Sequence, residues 1–312
     1  MFQMIKISTI RIIWKMNLMN KCNICPRKCN ADRENGKGFC GAGNKAIVAR
    51  ASLHKWEEPC ISYKNGAGTV FFSGCNLHCC FCQNNQISNE LFGKEISDQK
   101  LADIFLSLQD MGADNIDLVT PTHFADNIIK ALDLVKHRLN IPVIYNCGGY
   151  ELCETISLLD GYIDIYLPDI KYYSSEISQK YSNAPDYFEI ASKAVSTMIK
   201  QTGELTYNSE GGLIKGTVIR HLVLPSHRHD SMKIIEWIAE NTTPKNVIVS
   251  IMNQFTPFDF ISDEYSELKR RVTKMEYNSV VNYAAELGLN GFTQQKSSAS
   301  EEYVPDFDLT GI

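Results

Sequence analysis

The sequence lacks a long apolar run and a basic tract, and each absence excludes a class of function. Residues 1–20 are rich in isoleucine but contain Lys6, Arg11 and Lys15, so this stretch is too short and too charged to span a bilayer. It also lacks the apolar core and small-residue cleavage site of a secretory signal. Lysine and arginine number 31 against 36 acidic residues, a net charge of −5, so neither nucleic acid nor a membrane is an expected partner.

The composition is that of a soluble globular protein. With 312 residues, 44% hydrophobic and 21% charged, the chain has the size of one large α/β domain plus a small appendage. We interpret residues 1–20 as an N-terminal extension, and Met16 and Met19 allow an upstream start codon assigned in error. Eleven cysteines without a secretory signal indicate a reducing, cytoplasmic setting in which thiols serve metal or redox chemistry.

The most specific pattern is a short loop with three cysteines at C-x3-C-x2-C spacing: Cys75, Cys79 and Cys82. A cubane that only carries electrons is normally held by four cysteine thiolates, so three thiolates leave one iron open. An open metal position is where a substrate or cofactor binds. Zinc with His78 or Cys80 as the fourth ligand is the main alternative, but both residues lie inside the loop, where tetrahedral geometry is awkward. A disulfide is disfavoured because nothing marks the chain as secreted.

A second cysteine-rich segment, residues 21–45, precedes the first predicted strand. Its turn-rich composition suggests a small metal-stapled module with little core of its own, and its four soft ligands are Cys22, Cys25, Cys29 and Cys40. Zinc and a second iron–sulfur cluster are the two candidates. The unequal spacing of two, three and ten residues differs from the paired knuckles of a zinc ribbon, and the remaining alternative is four reduced cysteines without metal.

From about residue 66 the sequence alternates between strand and helix patterns. Six strands are predicted, at residues 66–73, 115–123, 142–147, 163–171, 217–225 and 246–252. Strands that alternate with helices predict parallel βα units, and such sheets bind ligands beyond the carboxyl ends of their strands. The Cys75 loop directly follows the first strand, which places it at that edge.

Several motifs taken together resemble one family. They are Cys25-Pro-Arg, His54-Lys-Trp-Glu-Glu-Pro, Gly66-Ala-Gly-Thr-Val-Phe-Phe-Ser-Gly-Cys-Asn-Leu, Phe81-Cys-Gln-Asn, Val119-Thr-Pro-Thr-His, Tyr145-Asn-Cys-Gly-Gly-Tyr-Glu, Asp164-Ile-Tyr-Leu-Pro-Asp-Ile-Lys and Arg220-His-Leu-Val-Leu-Pro. From Cys22 onward the chain resembles the radical S-adenosylmethionine (SAM) enzymes, and within them the proteins related to pyruvate formate-lyase activating enzyme. The resemblance implies a six-stranded partial (β/α) barrel, open on one side, with a small N-terminal Cys-rich metal-binding module. The extension would then span residues 1–20, the Cys-rich module 21–62, the partial barrel 63–296 and a C-terminal tail 297–312.

The resemblance also implies a [4Fe-4S] cluster, SAM and an electron donor similar to flavodoxin or ferredoxin. Cys75, Cys79 and Cys82 would hold three irons, and the fourth iron would chelate the amino and carboxylate groups of SAM. One electron from the reduced cluster would cleave the sulfonium to a 5′-deoxyadenosyl radical, which abstracts hydrogen from the substrate. In an activating enzyme, that substrate is the backbone of a partner protein, which is left with a glycyl radical.

Candidate contacts to SAM or substrate lie mainly at the ends of predicted strands: Asn84, Thr120, Thr122, Asn146, Asp169, Arg220 and Gln254. Many relatives end the second strand in Gly-Gly-Glu, which accepts bonds from the SAM ammonium, whereas Thr120 and Thr122 offer only hydroxyl and carbonyl acceptors. Asp169 matches one of two aspartates that some activating enzymes place near SAM. Asn146 stands at the other position, which leaves a bound monovalent cation open. Arg220 can bind a carboxylate bidentately or close the barrel rim through a salt bridge.

Two other functions compete with activation of a glycyl-radical enzyme. One is hydrogen abstraction from a small metabolite or peptide by the same radical chemistry. The other is a non-catalytic iron–sulfur protein that transfers electrons, which predicts a four-ligand cluster and no turnover of SAM. Polar residues at several strand ends argue against the second alternative, because an electron-transfer scaffold does not need them.

Overall fold

The computed structural model describes residues 21–294 and 305–312. The predicted extension at residues 1–20 and residues 297–304 of the predicted tail lie outside the described residues. The strands are β1 Ala46–His54, β2 Ala67–Phe72, β3 Lys94–Ile96, β4 Ile116–Val119, β5 Val143–Cys147, β6 Ile165–Pro168, β7 Thr206–Tyr207, β8 Leu213–Leu222, β9 Val247–Met252 and β10 Gly291–Thr293. The α-helices are α1 Asn85–Ser88, α2 Asp98–Asp110, α3 Ala125–Val135, α4 Cys153–Leu158, α5 Ser175–Ser182, α6 Tyr187–Thr202, α7 Arg228–Asn241 and α8 Lys274–Glu286. Short 3-10 helices cover Thr122–Phe124 and Asp263–Leu268.

These strands form one mostly parallel sheet in the order β10-β9-β8-β6-β5-β4-β2-β1-β3, with β7 beside β8. Neighbours from β10 to β2 are parallel, whereas β1 is antiparallel to both β2 and β3. Within the described residues the order runs from one end strand to the other without closing, so the sheet is a partial barrel. The predicted α/β class is therefore confirmed, and the six predicted strands correspond to β2, β4, β5, β6, β8 and β9.

The interior of the barrel is layered because side chains alternate between the two faces of each strand. One end is filled by a buried apolar cluster that includes Ile144, Ile165, Val218 and Ile248. Two residues further toward the carboxyl ends of β5, β8 and β9, the same face carries polar side chains: Asn146, Arg220 and Ser250. The fold thus places an apolar floor beneath a polar layer at the edge where the sequence predicts ligand binding.

Helices cover the outer face of the sheet and begin at sequence signals that cap their free amides. Ser97 accepts a hydrogen bond from the Lys100 amide at the start of α2, whose Leu101, Phe105 and Leu108 are buried. Thr273 and Glu276 form a capping box at the start of α8. In the part of the chain that the structure describes, no helix is long and apolar enough to cross a bilayer.

The two ends of the described chain both pack against the sheet. Residues 21–45 contain no helix or strand and lie against the barrel, where the Thr155 hydroxyl donates to the Ile24 carbonyl at 2.6 Å. At the other end, the amides of Leu309 and Ala51 exchange hydrogen bonds with the carbonyls of Ala49 and Thr310, so the last residues run alongside β1. The domain boundaries given above stay predictions.

Candidate active site

The loop between β2 and α1 turns sharply and gathers its three motif cysteines. Gly74, at φ +89°, starts the turn, and a Cβ there would lie 2.4 Å from the Cys40 carbonyl oxygen, so only glycine fits. The Leu77 amide donates to Cys75 Sγ at 3.3 Å, and the Cys82 amide donates to the Cys79 carbonyl at 3.1 Å. The loop therefore folds back on itself between the first and last cysteine.

The three sulfurs are close enough to affect one another. Burial, together with the neighbouring Cys79 and Cys82, raises the pKa of Cys75 to about 12. Burial and Cys79 also raise the pKa of Cys82. Three thiolates cannot share this buried space without a compensating positive charge. Cys80, which has no place in the motif, is close to Glu264 and Glu267.

A cavity of about 530 Å³ opens beside this loop at the carboxyl ends of the strands. Among the predicted site residues, its walls include Cys79, Cys82, Asn84, Asn146, Asp169, Arg220 and Gln254. Neither Thr120 nor Thr122 belongs to its lining. The volume lies in the range of small-molecule and cofactor sites, so the cavity can hold a ligand of that size.

Arg220 organises the polar layer beneath the cavity. Its Nε donates to Asp169 Oδ1 at 2.9 Å, one terminal nitrogen donates to Asn146 Oδ1 at 2.5 Å, and the other lies 3.4 Å from Glu57 Oε2. Lys171 Nζ donates to the other oxygen of Asp169 at 2.5 Å. Burial alone would raise the pKa of Asp169, but Arg220 and Lys171 outweigh it and hold that pKa below its usual value. Asp169 is therefore a fixed anion between two cations.

This layer contains more carboxyl groups than cations. Besides Asp169 it holds Glu57, Glu58 and Asp117, and burial raises the pKa of all three above the usual range. Asp117 Oδ2 accepts a hydrogen bond from Asn146 Nδ2 at 3.3 Å, and Asp117 Oδ1 is buried without a partner in the described residues. Oε2 of Glu58 is buried without a hydrogen-bond partner in the described residues. Burial in this layer therefore favours the protonated form of these carboxyls.

The sequence motif His54-Lys-Trp-Glu-Glu-Pro drew attention to Glu57 and Glu58 without making them predicted site residues, and Asp117 was missed. Asp117 lies in the middle of a buried strand, β4, and is fully buried. An acidic residue inside a four-residue buried strand is itself an unusual signal, because buried carboxyls need partners. Glu57 and Glu58 stand in the loop after β1, and only the fold brings that loop under β8.

Aromatic side chains form part of the cavity wall. Phe255, Phe258, Phe292 and Trp56 line it, and Trp56 is 64% exposed. Phe81, between two of the loop cysteines, packs edge-on against Tyr172, Tyr181 and Phe255. This ring cluster shields the loop from water on one side and leaves the cavity as its open side.

The sequence signature of the Radical SAM superfamily matches residues 69–252, more than half of this chain. The chain belongs to the Radical SAM superfamily. An uncharacterized protein of Methanocaldococcus jannaschii is 31% identical to it over 284 residues, which cover 88% of this chain and 77% of that protein. Membership implies a [4Fe-4S] cluster and SAM as cofactors of a radical SAM enzyme, whereas the narrower predicted subgroup stays a prediction.

Solved structures with a similar chain path are distant. A radical SAM methyltransferase from Sphaerobacter thermophilus aligns with a TM-score of 0.49 and 10% identity over 73% of this chain and 66% of that chain. Streptococcus suis SuiB bound to precursor peptide SuiA gives a TM-score of 0.46 and 15% identity over 71% of this chain and 46% of that chain. A domain of pyruvate-formate lyase-activating enzyme from Bacteroides vulgatus gives a TM-score of 0.34 and 12% identity over 64% of this chain and 91% of that chain. This chain spans about two thirds of the first of these proteins and about half of the second, and scores below 0.5 support no statement about substrate.

The residues of the loop fit the cluster that the Radical SAM superfamily implies. The donors are three soft sulfurs, and Ser182 Oγ donates a hydrogen bond to Cys79 Sγ at 3.0 Å, as partners of cluster sulfurs do. Within the described residues no group of three or more His, Cys, Asp or Glu side chains is placed to hold a single metal ion. A cubane does not need such a grouping, because its own sulfides keep the irons and their thiolates apart.

The two threonines predicted to contact SAM occupy different positions in this radical SAM fold. Thr120 follows β4 with φ +59°, a strained backbone conformation for a β-branched residue. Thr122 is buried, and its hydroxyl donates to Glu151 Oε1 at 2.6 Å, so that hydroxyl is already engaged. Their roles in SAM binding stay predictions, as do those of the other cofactor-binding residues.

None of the four N-terminal cysteines lines the cavity of this radical SAM fold. Cys22, Cys25 and Cys40 are buried, whereas Cys29 is exposed. Cys22 and Cys29 hydrogen-bond to each other, and Cys40 is close to both. The structure therefore brings the predicted second ligand set together, and the zinc or second cluster predicted there stays a proposal.

Proposed function

We propose that this radical SAM enzyme cleaves SAM reductively and uses the resulting radical to remove a hydrogen atom from a substrate that enters the barrel cavity. The observation that carries the proposal is a single cavity lined both by two of the three motif cysteines and by the buried Asp169–Arg220–Asn146 group. A cluster site without a ligand pocket would suit electron transfer alone. A pocket that reaches the cluster ligands suits catalysis.

Cys75, Cys79 and Cys82 would hold three irons and leave the fourth for the amino and carboxylate groups of SAM. A reduced cluster held by these cysteines would supply the electron for reductive cleavage of SAM. An electron donor similar to flavodoxin or ferredoxin would provide that electron. The side chains of the protein would orient SAM and the substrate and exclude water.

The positive charge of Lys171 interacts with the sulfurs of both Cys79 and Cys82. Lys171 is also held by Asp169, which Arg220 fixes from the other side. These contacts give the cavity a rigid charged wall next to the cluster ligands, able to orient a zwitterionic ligand such as SAM. Because the Arg220 guanidinium already has three partners, its direct role is to fix Asp169 and Asn146.

Two amide side chains lie where the nucleoside part of SAM can be bound. Asn84 follows the cysteine loop, and Gln254 follows β9; both line the cavity. Gln254 Oε1 accepts a hydrogen bond from the Gln294 side chain at 3.0 Å, which orients its amide. The aromatic rings of the cavity wall exclude water and other hydrogen donors from the radical.

The substrate proposed first is a glycine backbone of a partner protein, as in activating enzymes. A second candidate, a small metabolite or peptide, is favoured by the cavity volume of about 530 Å³, which is typical of small-molecule pockets. A second metal at Cys22, Cys25, Cys29 and Cys40, zinc or iron–sulfur, completes the proposed cofactor set.

The test is an anaerobic incubation of the reconstituted protein with SAM and dithionite, in the presence of a candidate glycyl-radical enzyme. Formation of 5′-deoxyadenosine together with a glycyl-radical signal by electron spin resonance supports the first substrate. Deuterium transfer from a labelled small molecule into 5′-deoxyadenosine supports the second. A protein with a full cluster that forms no 5′-deoxyadenosine above the level of a Cys79→Ala variant refutes the proposal.

A further inference from the structure

The four N-terminal cysteines share one local geometry. Each sulfur accepts a hydrogen bond from the backbone N–H of the residue two positions later: Ile24 for Cys22, Arg27 for Cys25, Ala31 for Cys29 and Ala42 for Cys40. Burial has the largest effect on these thiols and opposes their ionisation, whereas the amides favour the thiolate. Metal-bound sulfur is thiolate, so repeated N–H···S contacts are what a metal-binding set requires.

The four sulfurs also lie near one another although they come from three separate turns. Cys22 and Cys40 are close enough to Cys25 to raise its pKa, and Cys22 and Cys29 are close enough to Cys40 to raise the pKa of Cys40. Gly38 lies between two of them, because a Cβ there would be 3.4 Å from Cys29 Sγ and 3.5 Å from Cys40 Sγ. Four soft donors gathered in one place are the kind of ligand set that a zinc ion or an iron–sulfur cluster uses.

Arg27 connects this segment to the loop that carries the proposed cluster ligands. Its guanidinium donates to three backbone carbonyls, those of Asn76 at 2.7 Å, Ser182 at 2.8 Å and Asn183 at 2.5 Å. Asn76 belongs to the cluster loop, and Ser182 is the residue whose hydroxyl donates to Cys79. One side chain of the N-terminal segment therefore binds both supports of the cluster loop.

Phe39 makes a second contact between the same two regions. Its ring lies 4.3 Å from the Arg27 guanidinium carbon, and its carbonyl oxygen is 3.0 Å from His78 Nε2 in the cluster loop. The next residue, Cys40, has its carbonyl packed against Gly74 at the start of that loop. Arg27 follows Cys25 by two residues and Phe39 precedes Cys40, so bonds to these sulfurs would set both contacts.

We propose that Cys22, Cys25, Cys29 and Cys40 hold one thiolate-bound metal centre, and that this centre fixes Arg27 and Phe39 against the cluster loop. Within the described residues these side chains are not placed around a single ion, which favours a cluster over zinc. The inference rests on the proposed function only in taking Cys75, Cys79 and Cys82 as cluster ligands. Binding would release the thiol protons, and no oxidant is needed. Residues 21–45 contain no helix or strand, so the metal would replace the missing core of this segment.

The first experiment counts metal in a protein whose loop set has been removed by Cys75→Ala, Cys79→Ala and Cys82→Ala. After anaerobic purification and loading, either with zinc or with iron and sulfide, we expect about one zinc or about four irons and four sulfides per chain. The loading that gives the stoichiometric product tells zinc from a cluster. Adding Cys25→Ser and Cys40→Ser should remove that metal, whereas Cys60→Ser and Cys153→Ser, outside both sets, should leave it.

The inference is overturned if the triple-alanine variant binds no stoichiometric metal. It is also overturned if the metal remains after Cys25→Ser and Cys40→Ser. If the double variant does not fold, Cys29→Ser at the exposed ligand serves instead, with at least a tenfold faster loss of metal to a chelator expected and an unchanged rate overturning the inference. The metal count and the chelator rate do not depend on SAM turnover. Failure of this test therefore leaves the proposed function standing, and failure of the proposed function leaves this count unaffected.

The second experiment tests the contact with the cluster loop by amide hydrogen exchange. Arg27→Met should accelerate exchange at least tenfold at the amides of residues 80 and 82, which donate to the Tyr181 and Cys79 carbonyls, while the metal at the N-terminal set is retained. Removing that metal with a chelator from the triple-alanine variant should accelerate exchange at the same amides by a similar factor. Arg228→Met, at the first residue of α7, is the matched control. Unchanged exchange after both treatments would show that the two regions are independent.

Discussion

The two cysteine sets of this chain differ in number and in what faces their sulfurs. The N-terminal set has four members, each bonded to a backbone amide, and none of them lines the cavity. The loop set has three members, and two of them line it. A complete ligand set makes a closed, structural centre, and an incomplete set beside a pocket makes an open, reactive one. The comparison teaches that the missing ligand, more than the cysteine content, indicates where chemistry occurs.

The sharpest way to break this comparison is to remove one ligand of the open set. Cys79→Ala should lower the iron content by about one cubane and reduce formation of 5′-deoxyadenosine to background, a loss of about 10³-fold or more. The fold should persist, because the loop rests on Phe81 and its ring partners. Iron, sulfide and nucleoside assays measure the effect.

Cys80→Ala is the control for that change, since Cys80 is adjacent in sequence and has no place in the motif. It should retain both the cluster and turnover. Equal losses in the two variants would mean that the loop is merely fragile, and that Cys79 is not a specific ligand.

The charged wall of the open site should contribute strongly to stability. Arg220→Met leaves Asp169 and Glu57 buried without their shared cation, and we expect a loss of about 3–5 kcal/mol in the free energy of unfolding. Removing the exposed Lys64–Glu210 pair by Lys64→Met should have a much smaller effect on the free energy of unfolding, because solvent screens this pair. Urea unfolding of the two variants side by side measures the contrast, and similar losses would count against a buried network.

Glu151 is close to Cys25 of the N-terminal set, and it should make the free energy of unfolding depend on pH. Burial raises its pKa from 4.5 to about 8, although hydrogen bonds from Thr122 and Tyr145 act in the opposite direction. The folded protein therefore holds a proton that the unfolded chain has lost, and stability should fall as the pH rises from about 5 to 8. Glu151→Gln should flatten this decline by an amount on the order of a few kcal/mol. Thermal unfolding between pH 5 and 9 tests it; a decline as steep as that of the wild type would assign the effect to other groups.

The smallest expected effect concerns the seam between the closed set and the barrel. Thr155→Val removes the hydroxyl that donates to the Ile24 carbonyl at 2.6 Å and leaves that carbonyl without this donor. We expect a loss of about 1 kcal/mol, within the usual range for such a bond. Ser157→Ala, on the exposed side of the same helix, is the control. Chemical denaturation should resolve the pair, and a larger loss for Ser157→Ala would show that the seam contributes little.

Local patterns were sufficient to predict much of this molecule. The six strands are short apolar runs whose identity depends on their own residues, and the three-cysteine spacing lies within eight residues. The antiparallel strand β1 was not predicted, because its pairing with β2 depends on contacts that its own sequence does not specify. Gly291–Thr293 was too short to be identified as a seventh parallel strand.

The site was predictable where motifs carry it and not where distant residues meet. Asp169 and Arg220 were selected from strand ends, yet their mutual hydrogen bond and the approach of Glu57 depend on the closure of the sheet. Arg27 was noted only as part of a cysteine motif, because its partners at residues 182 and 183 are more than 150 positions away. Long-range contacts of this kind have no signature in a single sequence.

The reach of Arg27 has a consequence for synthesis of the protein. Its carbonyl partners Ser182 and Asn183 are made 155 and 156 residues later, which at usual translation speeds is a delay of roughly 8 to 30 s. During that interval the first cysteines have left the ribosome while their docking surface does not yet exist. Early metal capture would protect them from oxidation, and thiol labelling of stalled nascent chains ending before and after residue 183 would reveal the moment of docking.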